Sequence, residues 1–238
     1  MKTPITTEQF FSVFEKYNHA IFPVQIILFL LCILAFIAIG TKIRHKDTFV
    51  TGILGVLWLW MGIGYHMSFI SGISNVAYGF GLLFILQGLF LLWEGALLYN
   101  LKFEFKHSIQ SYFGYFFILY GLIIYPVVGY LIEPNLSQTI STGLPGPTLI
   151  LTFGFLLLCD KKFSNYLLII PSLWAVIGFI AVIKLGVYQD SVMIIAAIIA
   201  DVLILISKRP IDVKEELQLE SMPKGEKEVE VEIKKMKG

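Results

Sequence analysis

Charge is what this sequence has least of. Only 15% of its 238 residues are Asp, Glu, Lys or Arg, against about 25% in a typical soluble domain. The shortage is steeper than the average, because residues 207–238 hold 8 of the basic and 8 of the acidic side chains. That leaves 10 basic and 9 acidic ones for residues 1–206, too few to coat a water-soluble surface of that size. A soluble enzyme and a disordered chain are excluded, and a net charge of +1 gives no basic face for nucleic acid. Cysteine is scarce too. Cys32 and Cys159 lie in separate apolar runs, so they form neither a disulfide framework nor a C-x-x-C metal pattern. They read as small apolar packing residues. Missing as well are a Walker-type or glycine-rich nucleotide loop and a lysine in 192–206 that could carry a retinal Schiff base. The histidine-rich clusters of membrane metallohydrolases are absent, since His66 is the single histidine inside an apolar run. No nucleophile–base pair stands out, and no cofactor is expected.

Long apolar runs are abundant. A spanning helix needs about 20 mostly apolar residues, and seven stretches qualify: Pro23–Gly40, Thr48–Ile70, Val76–Tyr99, Ser111–Ile132, Gly143–Cys159, Asn165–Val187 and Asp190–Ile206. The fifth is the shortest, and the boundary between the sixth and seventh is soft. Lysine and arginine alternate between the loops. Lys42, Arg44 and Lys46 follow the first stretch, Lys102 and Lys106 the third, Lys161 and Lys162 the fifth, and Lys208 and Arg209 the seventh. The loops Ser71–Asn75 and Glu133–Thr142 have none, and the third offers only Lys184. The positive-inside rule then predicts an all-α, seven-helix bundle of the cytoplasmic membrane, N-terminus outside and C-terminus inside.

Three regions follow: an extracytoplasmic segment over 1–22, a transmembrane domain over 23–206, and a charged, disordered cytoplasmic tail over 207–238. A cleavable signal peptide is not expected, because the first apolar run begins late and is long enough to span. Within 1–22, Thr6 and Gln9 have capping-box spacing, and Phe10, Phe14 and Tyr17 share a helical face. That pattern predicts an interfacial helix with its aromatic face among lipid headgroups. No internal repeat is evident.

Ionisable groups inside a membrane are costly and are functional candidates by default. Toward the inner side these are Glu94 and Asp201, with Gln87 seven residues before Glu94 and a stripe of Gly81, Gly88 and Gly95 beside it. Small residues let helices approach closely, so this face should point into the bundle. Two readings stand: a proton or cation site made by Glu94 and Asp201, or carboxylates that reach Lys102 or Lys208 at the inner surface. Toward the outer side lie Tyr17, Asn18, His19, Tyr65, His66, Asn75, Glu133, Lys184 and Asp190. They read either as the mouth of a solute pathway or as ordinary interfacial residues. His66 with His19 makes a weak metal pattern.

Pro145-Gly146-Pro147-Thr148 should break regular helix, since each proline removes a donor and restricts its predecessor. Either it is an outer loop, the favoured reading, with Pro147 a first-turn proline, or it dips into the bilayer and makes the fifth segment a half-helix of the kind transporters use to bind anions. Pro126 and Pro171 should kink the fourth and sixth segments.

The motifs in chain order resemble one family. Phe11 to Pro23 with Tyr17-Asn18 and Phe22-Pro23, Trp60 through Tyr65-His66 to Asn75, Gln87 and Gly95, Pro145-Gly146-Pro147-Thr148 with Gly154, and Pro171 with Trp174 are similar to motifs of prokaryotic multi-pass proteins grouped as domain of unknown function 6064. The resemblance covers residues 10–190 and implies topology and candidate positions, but no reaction. Some members carry a polar residue or cysteine between the two prolines. Gly146 departs from that, which argues against a thiol or metal role there.

The expected function is a small-solute or ion permease with an intramembrane acidic site, its partners being the lipid bilayer and a small solute, proton or cation. The alternative is a non-transport membrane protein, a sensor or assembly factor before an embedded enzyme. The sequence leaves the oligomeric state open.

Overall fold

A computed structural model describes residues 7–132, 142–160 and 163–207. Thr6, the loop residues 133–141, Lys161, Lys162, Lys208, Arg209 and the rest of the tail lie outside the described residues. By internal contacts Met1–Ile204 forms one compact unit and Leu205–Gly238 another. All the sites described below belong to the first.

The described residues are helical, with one isolated bridge between Phe103 and Cys159 and no strand among them. The helices are α1 (Thr7–Ile21), α2 (Val24–Ile39), α3 (Lys46–Trp60), α4 (Val76–Leu92), α5 (Ile109–Leu119), α6 (Tyr125–Ile132), α7 (Pro145–Leu157), α8 (Tyr166–Leu185) and α9 (Ser191–Ser207). π-helical stretches extend α3 through Met61–Met67 and α4 through Trp93–Leu97, and another, Tyr120–Ile124, joins α5 to α6. Among the described residues five continuous stretches are long and apolar enough to cross a membrane: Lys46–Gly72, Val76–Leu97, Ile109–Ile132, Tyr166–Lys184 and Tyr188–Ile206. The first expected stretch is the 16-residue α2, bent by 83° from α1. The fifth is the 13-residue α7. At 1.5 Å per residue each falls short of the ~30 Å hydrocarbon thickness.

Burial divides the helices in a way suited to lipid. On α2, Leu28, Cys32, Ala35 and Ile39 are buried at three- and four-residue steps, while Ile26, Ile27, Leu30, Leu34 and Ile37 are exposed. An apolar face turned outward is unfavourable in water and natural in a bilayer. Helix α7, alone among the described helices, is buried on every side, all thirteen residues of it. It is the axis of the core.

Glycine sets how closely the helices approach. The stripe of Gly81, Gly88 and Gly95 on α4 packs antiparallel against Gly62, Gly55 and Thr51 of α3, so that a Cβ on Gly88 would stand 2.9 Å from the Gly55 carbonyl oxygen. A second seam joins α5 to α7: a Cβ on Gly114 would lie 2.9 Å from the Gly154 oxygen, and one on Gly121 2.9 Å from the Pro147 oxygen. Backbones can approach this closely only where side chains are absent.

Two expectations are corrected. The aromatic face of α1, where its side chains are described, is turned into the protein. Phe14 and Tyr17 are buried, with Phe14 stacked on Tyr65 at 6.0 Å and Tyr17 edge-on to Tyr65 at 5.3 Å and to Phe69 at 5.2 Å. Stacked and edge-to-face ring pairs add about 0.5–1.5 kcal/mol beyond the area they bury. Pro145-Gly146-Pro147 does not interrupt a helix either; it begins one. The first amides of a helix have no intrahelical acceptor, so prolines at the first and third positions sacrifice no hydrogen bond. Gly146, without a Cβ, escapes most of the clash that a following proline imposes.

Candidate functional site

The head of α7 is held by hydrogen bonds from three segments. Gly143 sits at φ +93°, left-handed backbone that favours glycine. Its amide donates to Thr148 Oγ1 at 3.1 Å, and its carbonyl accepts from the Tyr17 hydroxyl at 3.1 Å. That hydroxyl in turn accepts from Trp60 Nε1 at 2.7 Å. One turn along, Thr152 donates to the Thr148 carbonyl at 2.8 Å and accepts from Trp58 Nε1 at 2.9 Å. Tyr17, at the C-terminal end of α1, is thus a structural tie, and so is the paired-threonine face of α7.

In front of this helix start lies a cavity of about 190 Å³. Aromatic side chains from four elements wall it: Phe14, Tyr65, Phe80 and Trp174. Its polar groups are few. Asp190, immediately before α9, accepts a short hydrogen bond at Oδ1 from the Tyr125 hydroxyl. Both groups press on Gly146, where any Cβ would collide with them. Glycine is therefore required at this position, and the partial positive charge of the α7 N-terminus faces the carboxylate. Among the described residues no ion pair reaches Asp190, and no lysine or arginine lines the cavity. His66, 2% exposed, stands in a ring cluster with Phe84, Tyr65 and Trp174 at centroid distances of 4.6, 5.0 and 5.1 Å. Both its ring nitrogens are buried without a hydrogen-bond partner, and so is Trp174 Nε1.

The structure thus brings Tyr65, His66 and Asp190 of the outer-side candidates together with the Pro145–Gly146 segment and Trp174, and adds Tyr125. It leaves out others. Asn75 is exposed at the start of α4 without a side-chain cap bond. Asn18 is buried, its carbonyl accepting from Gln25 Nε2 at 3.1 Å. His19 is exposed on α1, apart from buried His66. Among the described residues no three His, Cys, Asp or Glu side chains form a metal-sized group.

The inner candidates do not form one site. Glu94, 1% exposed, accepts from Asn100 Nδ2 at 2.8 Å and also bonds to Ser164, at side chain and backbone, and to Tyr166. These partners come from the loop after α4 and from the start of α8. The carboxylate closes a helix N-terminus, where negative charge is favoured. Gln87, fully buried, donates from Nε2 to the Leu167 carbonyl at 2.9 Å. Pro171 lies four residues beyond Leu167 and has no N–H to offer that oxygen, so Gln87 supplies the missing donor. Asp201 accepts from Ser172 Oγ at 2.7 Å through one oxygen, while the other is buried without a partner.

A family model agrees with the motif order. The model described as "Family of unknown function (DUF6064)" matches residues 7–215. The chain belongs to this family. Within the DUF6064 match fall every helix from α1 to α9 and every residue around the cavity. No curated protein and no solved structure matches the chain.

Proposed function

We propose that this DUF6064 protein is a small-solute permease of the prokaryotic cytoplasmic membrane, with its acidic site at Asp190. In this reading the chain crosses seven times, with α1–α2 as a broken first span and the short α7 as the fifth crossing, set inside the bundle. The alternation of lysine-bearing and lysine-free loops favours an extracytoplasmic N-terminus and a cytoplasmic C-terminus. The observation that carries the reading is the cavity at the head of α7. A short, wholly buried helix whose N-terminus points at a cavity resembles the half-helices of transporter solute sites, here with the Asp190 carboxylate beside it. It also replaces Glu94 with Asp190 as the acidic group that acts, because the bonds of Glu94 are used up in holding α4 to α8.

Binding without transport, as in a sensor, is the second reading. It is favoured by the hydrogen bonds that tie Glu94 to Asn100 and to the start of α8, which leave that carboxylate holding helices together rather than open to a solute. The test is stopped-flow light scattering of proteoliposomes holding the full chain, shocked in turn with glycerol, glycine, sodium acetate and choline chloride. Transport predicts that vesicles re-swell with at least one solute faster than empty liposomes, and that Asp190→Asn removes the difference. Re-swelling no faster than in empty liposomes for all four contradicts transport and leaves binding in its place.

A further inference from the structure

Among the cavities, ring clusters and buried unpartnered groups of this chain, one combination specifies a ligand. Asp190 brings a carboxylate into an aromatic-walled cavity and lacks a cationic partner there. The Tyr125 hydroxyl and the α7 N-terminus offset part of that charge, and no full positive charge among the described residues balances the rest. The walls are Phe14, Tyr65, Phe80 and Trp174, whose π faces attract cations, with Trp the strongest. Phe80 and Trp174 stand edge to face at 5.0 Å, a corner that an alkylated ammonium can fill with its methyl groups. Trp174 Nε1 is a donor without an acceptor. His66, almost fully buried, has two nitrogens without partners. A neutral imidazole offers one of them as an acceptor. One hydroxyl on the ligand would satisfy both groups, whose rings are 5.1 Å apart.

We infer that the cavity takes a small organic cation, an alkylated ammonium carrying a hydrogen-bonding group, with its charge on Asp190 and its methyl groups on the aromatic walls. This rests on reading the cavity as the solute site, though not on the solute being moved.

The test is binding to the purified full chain in detergent, followed by thermal unfolding and tryptophan fluorescence. The probes are choline, tetramethylammonium and 3,3-dimethylbutan-1-ol, the uncharged isostere of choline. Choline should stabilise the chain saturably and bind at least tenfold tighter than the isostere. Tetramethylammonium, lacking the hydroxyl, should fall between them. Asp190→Asn keeps an acceptor for Tyr125 and should weaken choline at least tenfold while leaving the isostere unchanged. Trp174→Leu should weaken both cations as a second check, should the first variant not fold. Equal binding of choline and its isostere, no saturable cation binding, or full choline affinity in a folded Asp190→Asn chain overturns the inference. Choline binding without choline flux in proteoliposomes supports it while overturning transport. Flux that ignores charge overturns it and spares transport.

Discussion

Gln87 looks, in the sequence, like a polar group seeking a function inside a membrane helix. Its observed task is to repair a helix. Pro171 withholds a donor from the Leu167 carbonyl, and Gln87 Nε2 reaches it at 2.9 Å from the neighbouring α4. A buried carbonyl left unbonded costs about 1–3 kcal/mol, so Gln87→Leu should destabilise the chain by about that much. Pro171→Ala restores an N–H to the kink, and in that background Gln87→Leu should cost clearly less. A double-mutant cycle by thermal unfolding measures the coupling; strictly additive effects would show that the bond does not matter. Nothing in the sequence pairs positions 87 and 171, which lie on different helices, so this role was not legible there. Asp190 was readable as one of several outer-side polar residues, but its place in a site was not, for another reason. An aspartate directly before an apolar helix is the ordinary sequence of a helix cap, and its neighbours Tyr125 and Gly146 are distant in the chain.

Among the elements, the glycine stripe of α4 was readable because a seven-residue repeat marks one helical face. Its partner stripe on α3 was not singled out, nor was the seam between α5 and α7. Position decides the cost of filling these seams. A Cβ on Gly88 would stand 2.9 Å from the Gly55 oxygen and 3.1 Å from the Leu59 amide nitrogen, whereas one on Gly79 of the same helix meets nothing within 4 Å. Gly88→Ala should therefore lower stability by roughly 1–3 kcal/mol, and Gly79→Ala should leave it unchanged or raise it slightly. Equal unfolding temperatures for the two variants would contradict the seam. The start of α7 was misread for a reason that is general. Prolines are neutral in the first turn of a helix, as the loop reading allowed for Pro147, but the sequence did not show that Pro145 and Gly146 belong to that turn as well.

Across the whole molecule, composition and periodicity were enough for an all-helical chain with long apolar stretches, and motif order was enough for the family. The location of the polar site was not legible, because carboxylates of equal rarity have opposite circumstances. Glu94 is saturated with hydrogen bonds, while Asp190 borders a cavity. The proposed topology predicts that reporter fusions at residues 72 and 210 fall in opposite compartments, the first outside and the second inside. The same compartment for both would refute seven crossings. The central claim is that Asp190 acts and Glu94 holds. Its most direct measurement is solute flux into proteoliposomes carrying equal amounts of folded wild-type, Asp190→Asn and Glu94→Gln protein. The account predicts that flux is lost in Asp190→Asn and retained in Glu94→Gln. Flux retained in Asp190→Asn but lost in Glu94→Gln would contradict it.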